Sequence, residues 1–505
     1  MECLLTHSFF LELFLVFTFL FQLLYNSYIL QNIRYHLPLL NKELIFQTLY
    51  YLLILMFLGL ISKFGVFFIN FLFLNKEAVY FFKIFIFILS FIISILIFRS
   101  NITSLINDIE FFSLIFLIIL SSCLLISAYD LISIYLALEM QSLCFYAITS
   151  FKKNSASSVE AGLKYFIIGS VASCFFLLGA SLLYGCLGTL NLMDLIFLFS
   201  FNLNNDLFYI NTLIFISVLI ILFVFFFKIS IFPFHWWSPD VYEGAPLSST
   251  IILALLPKPI LFAFIIKWCF IIMHHFFLIK KICLFFGFLT IVFGSFFAIK
   301  QVRLKRFILF SSITQFGFLI LMLISNYFDG YVFIYFFLII YFISSIIVWS
   351  TFNILLNLNN KIFNFLNVLK IAILIGSLRN LVLKNKYWAF VFFILFFSLA
   401  GIPPLGGFIA KFLIFLELLK NFDFFFTFFL IILSSLSVYY YIKIVKVIFF
   451  EPTKKISNSF CLINNQSLSS VELWFISDSL IILILACVFP NIILFIANKL
   501  SLGLI

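Results

Sequence analysis

Charged residues are scarce in this chain: Asp, Glu, Lys and Arg make up only 10% of its 505 residues. Ordinary globular domains carry about 25% charged residues. Hydrophobic residues account for 65% of the sequence, so the chain has too few polar residues to cover a soluble surface. The composition therefore excludes a soluble protein and predicts a polytopic integral membrane protein whose main environment is lipid.

Motifs that bind cofactors are also missing. Nine cysteines are scattered along the chain without any CxxC spacing, so neither an iron–sulfur cluster nor a disulfide framework is expected. The sequence contains no GxGxxG and no P-loop, which excludes a recognisable nucleotide site. His274 and His275 are interpreted as solvated loop residues. We expect no cofactor, no metal site and no nucleic-acid partner.

Long apolar runs predict an all-α fold with about fourteen membrane-spanning helices, because a spanning helix needs roughly 20 apolar residues. The more polar segment 361–380 is expected to lie in the membrane interface or to pack laterally. The predicted spans are 8–30, 44–62, 78–98, 109–128, 130–151, 160–187, 207–232, 247–270, 276–299, 306–325, 330–352, 387–419, 424–448 and 473–497.

The distribution of Lys and Arg predicts the orientation of these spans. Fourteen spans place 18 basic residues on one side of the membrane and seven on the side that holds both termini. The richer side is expected to face the cytoplasm-like compartment. The seven residues on the opposite side are Lys63, Lys76, Lys267, Lys280, Lys281, Lys420 and Lys499.

Two predicted spans contain helix-breaking residues. Proline removes a backbone donor and clashes with the preceding turn, so each helix is expected to kink or open. Lipid does not tolerate the freed backbone groups, so the breaks must face protein or water. Lys228 precedes the first break and Lys411 follows the second, a pattern typical of transporters with inverted repeats. The breaking residues are Pro233, Pro239, Pro246, Pro403, Pro404, Gly406 and Gly407.

Ionisable residues within the predicted spans form the candidate site. Glu139 in ISIYLALEMQSLCFY, Lys228, Lys258 and Lys411 lie far from the span ends, where a charge costs roughly 2.5–3.5 kcal/mol on insertion scales. Removal from water disfavours a charged lysine, and a nearby carboxylate favours it again. A lysine with a movable carboxylate partner can therefore bind and release protons. We predict that Glu139 controls Lys228, and that Lys258 and Lys411 pass protons onward.

Structural interpretations compete with this one. Glu139 can pair with a lysine merely to pin two helices together, and Lys258, between two prolines, can cap a kinked backbone. Lys164 lies four residues past Glu160 and can snorkel to the surface. His235 in FPFHWW can make a structural hydrogen bond. Lys164 and His235 are therefore weaker site candidates. Lys83 lies near the predicted end of its helix and is also expected to snorkel.

Four ordered strings carry a family resemblance. YLALEMQSLCFYAITSFKKNSASSVEAGLKYFIIGSVASCFFLLGASLLYG, PFHWWSPDVYEGAP, LKRFILFSSITQFGFLIL and AGIPPLGGFIAKF closely resemble the NADH dehydrogenase subunit 2 family, which comprises antiporter-like membrane subunits of respiratory complex I. The likeness covers roughly residues 100–450. It implies N-terminal helices 1–3 in 1–105, inverted five-helix repeats in 109–270 and 276–448, and a C-terminal loop and helix in 449–505.

The resemblance also implies a function. Electron transfer from NADH to ubiquinone occurs elsewhere in the complex, and this subunit couples it to proton translocation beside other membrane-arm subunits. The family's functional positions fall on the four buried charges named above, and Lys164 lies in the matching string AGLKYF. The helix at 306–325 has no acidic counterpart to Glu139. Because TQFGF stands where a histidine or lysine is expected, the link from Lys258 to Lys411 is expected to use water and the hydroxyls of Ser311, Ser312 and Thr314.

Three other functions compete with this prediction. A stand-alone cation/proton antiporter of the related family would share the lysines. A scaffold that moves no ions would retain the buried charges only for assembly. A quinone or NADH site has no supporting motif. The resemblance implies the mitochondrial inner membrane, with both termini on the intermembrane-space side, although plastid and bacterial versions of the complex would fit the same sequence.

Overall fold

The computed structural model describes residues 10–32, 48–55, 67–69, 73–75, 77–104, 108–202, 208–273, 276–325, 328–363, 375–379, 381–384, 386–421, 424–452 and 470–501. These residues are almost entirely helical, which confirms the predicted all-α class. Among them, the strands β1 (Phe67–Ile69) and β2 (Phe73–Asn75) form one short antiparallel hairpin in which Phe68 pairs with Leu74.

The helices of the first half of the chain match its long apolar runs. They are α1 (Phe10–Asn32), α2 (Glu77–Ser104), α3 (Asp108–Ser127), α4 (Leu131–Thr149), α5 (Ala156–Leu187), α6 (Leu192–Asn202), α7 (Phe208–Ile229), α8 (Trp237–Gly244), α9 (Leu247–Leu255) and α10 (Pro257–Met273).

The helices of the second half also match its long apolar runs, and its described residues include a short 3₁₀ turn at Ile375–Leu378. Its helices are α11 (Phe277–Lys300), α12 (Leu304–Met322), α13 (Phe328–Phe363), α14 (Leu381–Lys384), α15 (Lys386–Ala400), α16 (Gly406–Asn421), α17 (Phe424–Phe449), α18 (Ser470–Val488) and α19 (Pro490–Ser501).

The chain is a multi-pass membrane protein. Within the described residues, ten helices are long and apolar enough to cross a membrane, and the bent pair α18–α19 adds an eleventh candidate. This count does not reach the predicted fourteen. The predicted span 44–62 is described only over 48–55, and the segment 361–380 only in part. His274 and His275 lie outside the described residues.

The predicted span 473–497 is not one continuous helix. The axes of α18 and α19 differ by 95° at the break before Pro490. Proline has no N–H to continue the helical ladder and restricts the residue before it, so α18 ends at Val488 and Phe489 forms the break. One face of α19, with Ile493, Ala497 and Leu500, is buried, and α19 packs against α13.

Local signals explain where the site-bearing helix α4 begins and where α5 ends. The Asp130 side chain accepts a hydrogen bond from the Ile132 backbone N–H at 2.9 Å, which satisfies one of the free donors in the first turn of α4. α5 ends at Gly188, whose φ of 77° is typical of a glycine helix C-cap. The two helices pack against each other, and Asp130, before α4, bridges to Asn191, after α5, so they run antiparallel.

The chain divides into two compact units, one of residues 1–229, 244–280 and 502–505, the other of 230–243 and 281–501. In the first unit, α3 packs against α1, α2, α4 and α10, while α5 packs against α4 and α7. In the second unit, α13 packs against α12, α16, α18 and α19. The span Leu247–Met273 is buried along its whole apolar length, so it faces protein rather than lipid.

Candidate functional site

The first predicted helix break is confirmed, and it directly follows Lys228. α7 ends at Ile229, Ser230 has a φ of 68°, and the Phe232–Pro233 peptide is cis before α8 begins. A positive φ is uncommon for a residue other than glycine, so the surrounding structure must hold this backbone in place. Lys228 is half-buried in the last turn of α7, where the helix dipole favours a positive charge.

Glu139 interacts electrostatically with Lys228 within the first unit. The carboxylate lies in the middle of α4 and is half-buried. The Ser142 hydroxyl donates to the backbone carbonyl of Glu139 at 3.1 Å and lies 3.5 Å from its Oε2. The helix α5 packs against both α4 and α7 and buries mainly small residues, which keeps the three helices close. The structure therefore places this acid and this base on two helices that both pack against α5, where their charges interact.

Lys258 lies within a buried span of the same unit. It follows Pro257, the first residue of α10, and its exposed fraction is 5%. The helix α10 packs against α3 and α7, so it is a neighbour of the helix that carries Lys228. Few polar groups are this deeply buried in a membrane protein without a function or a partner. The position fits a proton-carrying lysine that follows Lys228.

Lys411 occupies the second break, which the structure also confirms. α15 ends at Ala400, the Pro403–Pro404 peptide is cis, and α16 begins at Gly406. The Lys411 ammonium donates to the Ala400 carbonyl at 2.7 Å and to the Ser437 hydroxyl at 3.2 Å. The last carbonyls of a helix lack partners and carry partial negative charge. Lys411 therefore caps α15 from within the protein.

Gly407 permits the close approach of the two helices at this break. A Cβ atom added there would overlap the Ser398 carbonyl oxygen, a backbone atom that cannot rotate away. We expect Gly407→Ala to reduce stability by about 1–3 kcal/mol, as other overpacking substitutions do. Thermal inactivation of the solubilised complex measures the effect. Gly185→Ala is the control: nothing lies within 4 Å of its added Cβ, so a loss of stability there would contradict the steric explanation.

A buried tyrosine cluster in the second unit was not predicted. Thr314 Oγ1 and the Tyr440 hydroxyl are 3.0 Å apart, and the Tyr440 and Tyr441 ring centroids are 4.5 Å apart. The Tyr441 side chain is buried beside them. The run YYYIK in an apolar span was the available signal, because adjacent tyrosines in a membrane helix need polar partners.

The hydroxyls predicted to link the lysines are all buried on α12. Ser311, Ser312 and Thr314 each donate to the carbonyl three residues earlier, at 2.7 to 2.8 Å. Each hydroxyl keeps acceptor capacity, because an O–H group has two lone pairs. The Gln315 side chain donates to the Leu399 carbonyl at 3.2 Å, next to the carbonyl that Lys411 caps. Polar groups therefore continue from α12 towards Lys411 within the second unit.

The two weaker candidates occupy different surroundings. The Lys164 ammonium lies 2.7 Å from the Glu160 carboxylate, and its side chain is 44% exposed. His235 is buried, and its ring stacks between Phe232 and Trp236 in the second unit. Within the described part of the chain, no group of three or more His, Cys, Asp and Glu residues could hold a metal ion. Lys164 has the geometry of a surface pair, and His235 that of an aromatic packing site.

A surface ion network anchors α8 in the second unit. Arg306 Nη2 lies 3.1 Å from Asp240 Oδ1, and both Arg303 and Arg306 pair with Glu243. Asp240, Glu243 and Arg306 lie in the PFHWWSPDVYEGAP and LKRFILF strings, and Arg303 directly precedes the second string. The network therefore fixes the helix that follows the first break to the start of α12.

Lys83 is not the snorkelling residue that was predicted. It lies six residues into α2, its side chain is completely buried, and its ammonium pairs with the buried Glu12 carboxylate of α1. It also lies 5.7 Å from the centre of the Tyr80 ring. The prediction was wrong because the position of Lys83 near a helix end does not reveal its buried partner, Glu12, which lies on another helix.

Lys267, predicted to lie among the surface lysines, is also buried. Its exposed fraction is 4%, and its ammonium donates to the Ile126 carbonyl in the last turn of α3 at 2.6 Å. The Tyr129 ring centre lies 5.0 Å away. Lys267 thus caps the C-terminus of a helix in the first unit, as Lys411 does in the second.

Together these features define a multi-pass helical protein that holds charged side chains inside its spans, at and near breaks in its helices. Membrane proteins that move ions share this design. Residues 128–437 match the family described as NADH:quinone oxidoreductase/Mrp antiporter, TM. The chain belongs to this family.

Individual relatives show which members of this family the chain resembles. The chain is 30% identical over 352 residues to NADH-quinone oxidoreductase subunit N of Francisella tularensis subsp. holarctica, covering 68% of this chain and 69% of that protein. It is 36% identical over 349 residues to NADH-ubiquinone oxidoreductase chain 2 of Marchantia polymorpha, covering 68% of each.

The fold is also similar to a chain in the structure of respiratory complex I from Thermus thermophilus with bound aureothin. The TM-score is 0.74 at 22% identity, and the match covers 96% of this chain and 98% of that one. At this identity the likeness concerns the fold alone. It spans the N-terminal and C-terminal helices that lie outside the family match.

Proposed function

We propose that this chain is the proton-translocating membrane subunit of an NADH:quinone oxidoreductase, corresponding to subunit N or chain 2 of its relatives. The observation that carries the proposal is the placement of Glu139 and Lys228 on helices that both pack against α5, with Lys228 directly before a helix break. Its partners are other membrane-arm subunits of the complex, as the names of its relatives indicate.

The proton steps follow from the charges. While Glu139 lies close, its carboxylate stabilises the ammonium form of Lys228. Withdrawal of Glu139 leaves that ammonium half-buried without its counter-charge, and Lys228 releases its proton towards Lys258. A return of Glu139 recharges Lys228. The conformational change that moves Glu139 is driven by electron transfer in other subunits, so we expect no redox centre and no cofactor in this chain.

The second half carries the proton further. Lys411 is hydrogen-bonded to a helix end and a hydroxyl rather than to a carboxylate. The two halves are therefore chemically different, although we propose that 109–270 and 276–448 are inverted repeats, between the N-terminal part, 1–105, and the C-terminal part, 449–505. We propose that the hydroxyls on α12 and the Tyr440–Tyr441 pair hold water on the route to Lys411.

The same relatives favour the mitochondrial inner membrane, because several are NADH-ubiquinone oxidoreductase chain 2 of plants and a fungus. The excess of Lys and Arg on one side then predicts that side as the matrix and both termini in the intermembrane space. A stand-alone cation/proton antiporter is the alternative, since the matched family includes Mrp antiporters.

A native gel distinguishes these two functions. Gently solubilised native membranes are separated and stained for NADH oxidation, and this chain is located by mass spectrometry. We expect the chain to migrate with an NADH-oxidising band of high mass. Migration away from every such band would contradict the proposal and favour the stand-alone antiporter.

A further inference from the structure

The end of α16 that lies away from the second break holds a buried carboxylate. Glu417 is completely buried, and its Oε2 accepts a hydrogen bond from the Lys420 ammonium at 3.1 Å. The Lys420 side chain is 52% exposed. The pair thus connects the interior of the second unit to its surface, one turn before α16 ends at Asn421.

Lys411 and Glu417 lie at the two edges of the buried face of α16, about 120° apart around the helix axis. Ile414, completely buried, lies between them along the face. Six residues of α-helix correspond to an axial rise of about 9 Å. α16 packs against α12, α13 and α18, so neither residue faces lipid. The helix therefore places a buried base and a buried acid in sequence from its broken end to its surface end.

The surroundings of Glu417 include an unsatisfied polar group. A Cβ atom added at Gly330, in the first turn of α13, would lie 3.7 Å from Glu417 Cγ and would overlap the Ser325 hydroxyl. Ser325 is 5% exposed, and its buried Oγ has no hydrogen-bond partner among the described residues. Buried hydroxyls in native proteins normally bind a partner. The Ser325 hydroxyl is therefore a second polar group close to the Glu417 side chain.

An anchoring role alone does not account for this arrangement. A buried carboxylate loses its hydration, and a half-exposed ammonium that solvent screens returns little of that energy. A carboxylate that delivers protons to the membrane surface has to lie between the protein interior and an exposed group, as Glu417 does beside Lys420.

We propose that Glu417 binds the proton released by Lys411 and delivers it to the membrane surface beside Lys420. The proposal rests on the proposed function. The Lys411 ammonium gives up a proton to water and becomes an amine, and the Glu417 carboxylate takes a proton from that water and becomes a carboxylic acid. The neutral acid no longer holds the Lys420 ammonium, which turns towards the solvent. Water then removes the proton, and the ion pair forms again.

Substitution of Glu417 tests this step. Glu417→Gln keeps the shape but cannot release a proton, so NADH-driven proton translocation should fall at least about tenfold, since a positioned acid–base group typically contributes more than that. Assembly on native gels should stay normal, and Glu417→Asp should restore most of the translocation. Asp478→Asn changes an exposed carboxylate of the same unit and should have no effect. Unchanged translocation in Glu417→Gln would overturn the proposal.

Two further measurements distinguish failure of this inference from failure of the proposed function, and from a failure of the variant to assemble. Lys411→Ala is tested in parallel: loss of translocation there, with normal translocation in Glu417→Gln, rejects this inference and leaves the proposed function standing. Normal translocation in both variants rejects both. If Glu417→Gln does not assemble, the native complex is treated with dicyclohexylcarbodiimide, which modifies protonated carboxyl groups in apolar surroundings. Modification of Glu417 supports proton uptake, and its absence shows a permanently ionised structural pair.

Discussion

Replacing Lys83 by alanine is expected to destabilise the N-terminal helices by about 3–5 kcal/mol, because removal of one partner leaves the other charge buried without compensation. The remaining charge would be the Glu12 carboxylate, which is 4% exposed. Among the described residues, its Oε2 already lacks a hydrogen-bond partner. The pair joins α1 to α2, so we expect α1 to detach first. Thermal inactivation of the complex and the amount of this chain in membranes measure the loss.

Two variants test this explanation. The double change Glu12→Gln and Lys83→Met removes both charges and keeps the volumes similar, so it should recover most of the lost stability. Arg379→Ala breaks the 2.9 Å pair with Glu451, in which both side chains are 31% exposed, and should cost less than about 1 kcal/mol. A double variant as unstable as Lys83→Ala would show that packing, not the buried charge, causes the effect.

Glu139→Gln is expected to lower proton translocation by about tenfold to a hundredfold, because the neutral amide cannot stabilise the ammonium form of Lys228. NADH oxidation coupled to quinone reduction should fall with it, while assembly stays near normal. Lys228→Ala should have a similar effect. The measurements are proton uptake by energised vesicles and the amount of assembled complex on a native gel.

Control variants test whether the loss of translocation is specific to Glu139 and Lys228. Glu110→Gln removes an exposed carboxylate at the start of α3 and should leave translocation unchanged. The double variant Glu139→Gln with Lys228→Ala should be no worse than the stronger single variant, because residues that act as one unit are not additive. Assembly that falls in step with translocation in every variant would favour the scaffold function instead.

The sequence predicted the helical class, both helix breaks and the residues beside them. These features follow from local chemistry: apolar runs of spanning length and the missing N–H of Pro233 and Pro403. The cost of burying each charge pointed to Glu139 and Lys228, and the pairing of their charges stays a prediction. The bend at Pro490 had the same local signal, but the apolar run on both sides of that proline was interpreted as one span.

Other features could not be predicted because they depend on contacts between distant residues. Glu12 and Lys83 are 71 positions apart, and nothing in either neighbourhood identifies the partner. Lys267 was assigned to the surface from its distance to a span end, yet α10 buries it against α3. The acceptors of Lys411 and the neighbours of Tyr440 follow from the packing of α12, α15 and α17, which no local pattern specifies.

The hydrogen bond by which Lys411 caps α15 couples the protonation of this lysine to the position of the helix. The hydrogen bond to the Ala400 carbonyl is strong only while the amine carries its charge. Loss of the proton loosens the end of α15, and a pull on α15 that stretches the bond weakens the hold of the amine on its proton. By thermodynamic linkage, movement of α15 changes the free energy of proton binding to Lys411 by the same amount as proton binding changes the free energy of that movement. The second break can therefore convert force into charge movement, and charge movement into force, through one side chain.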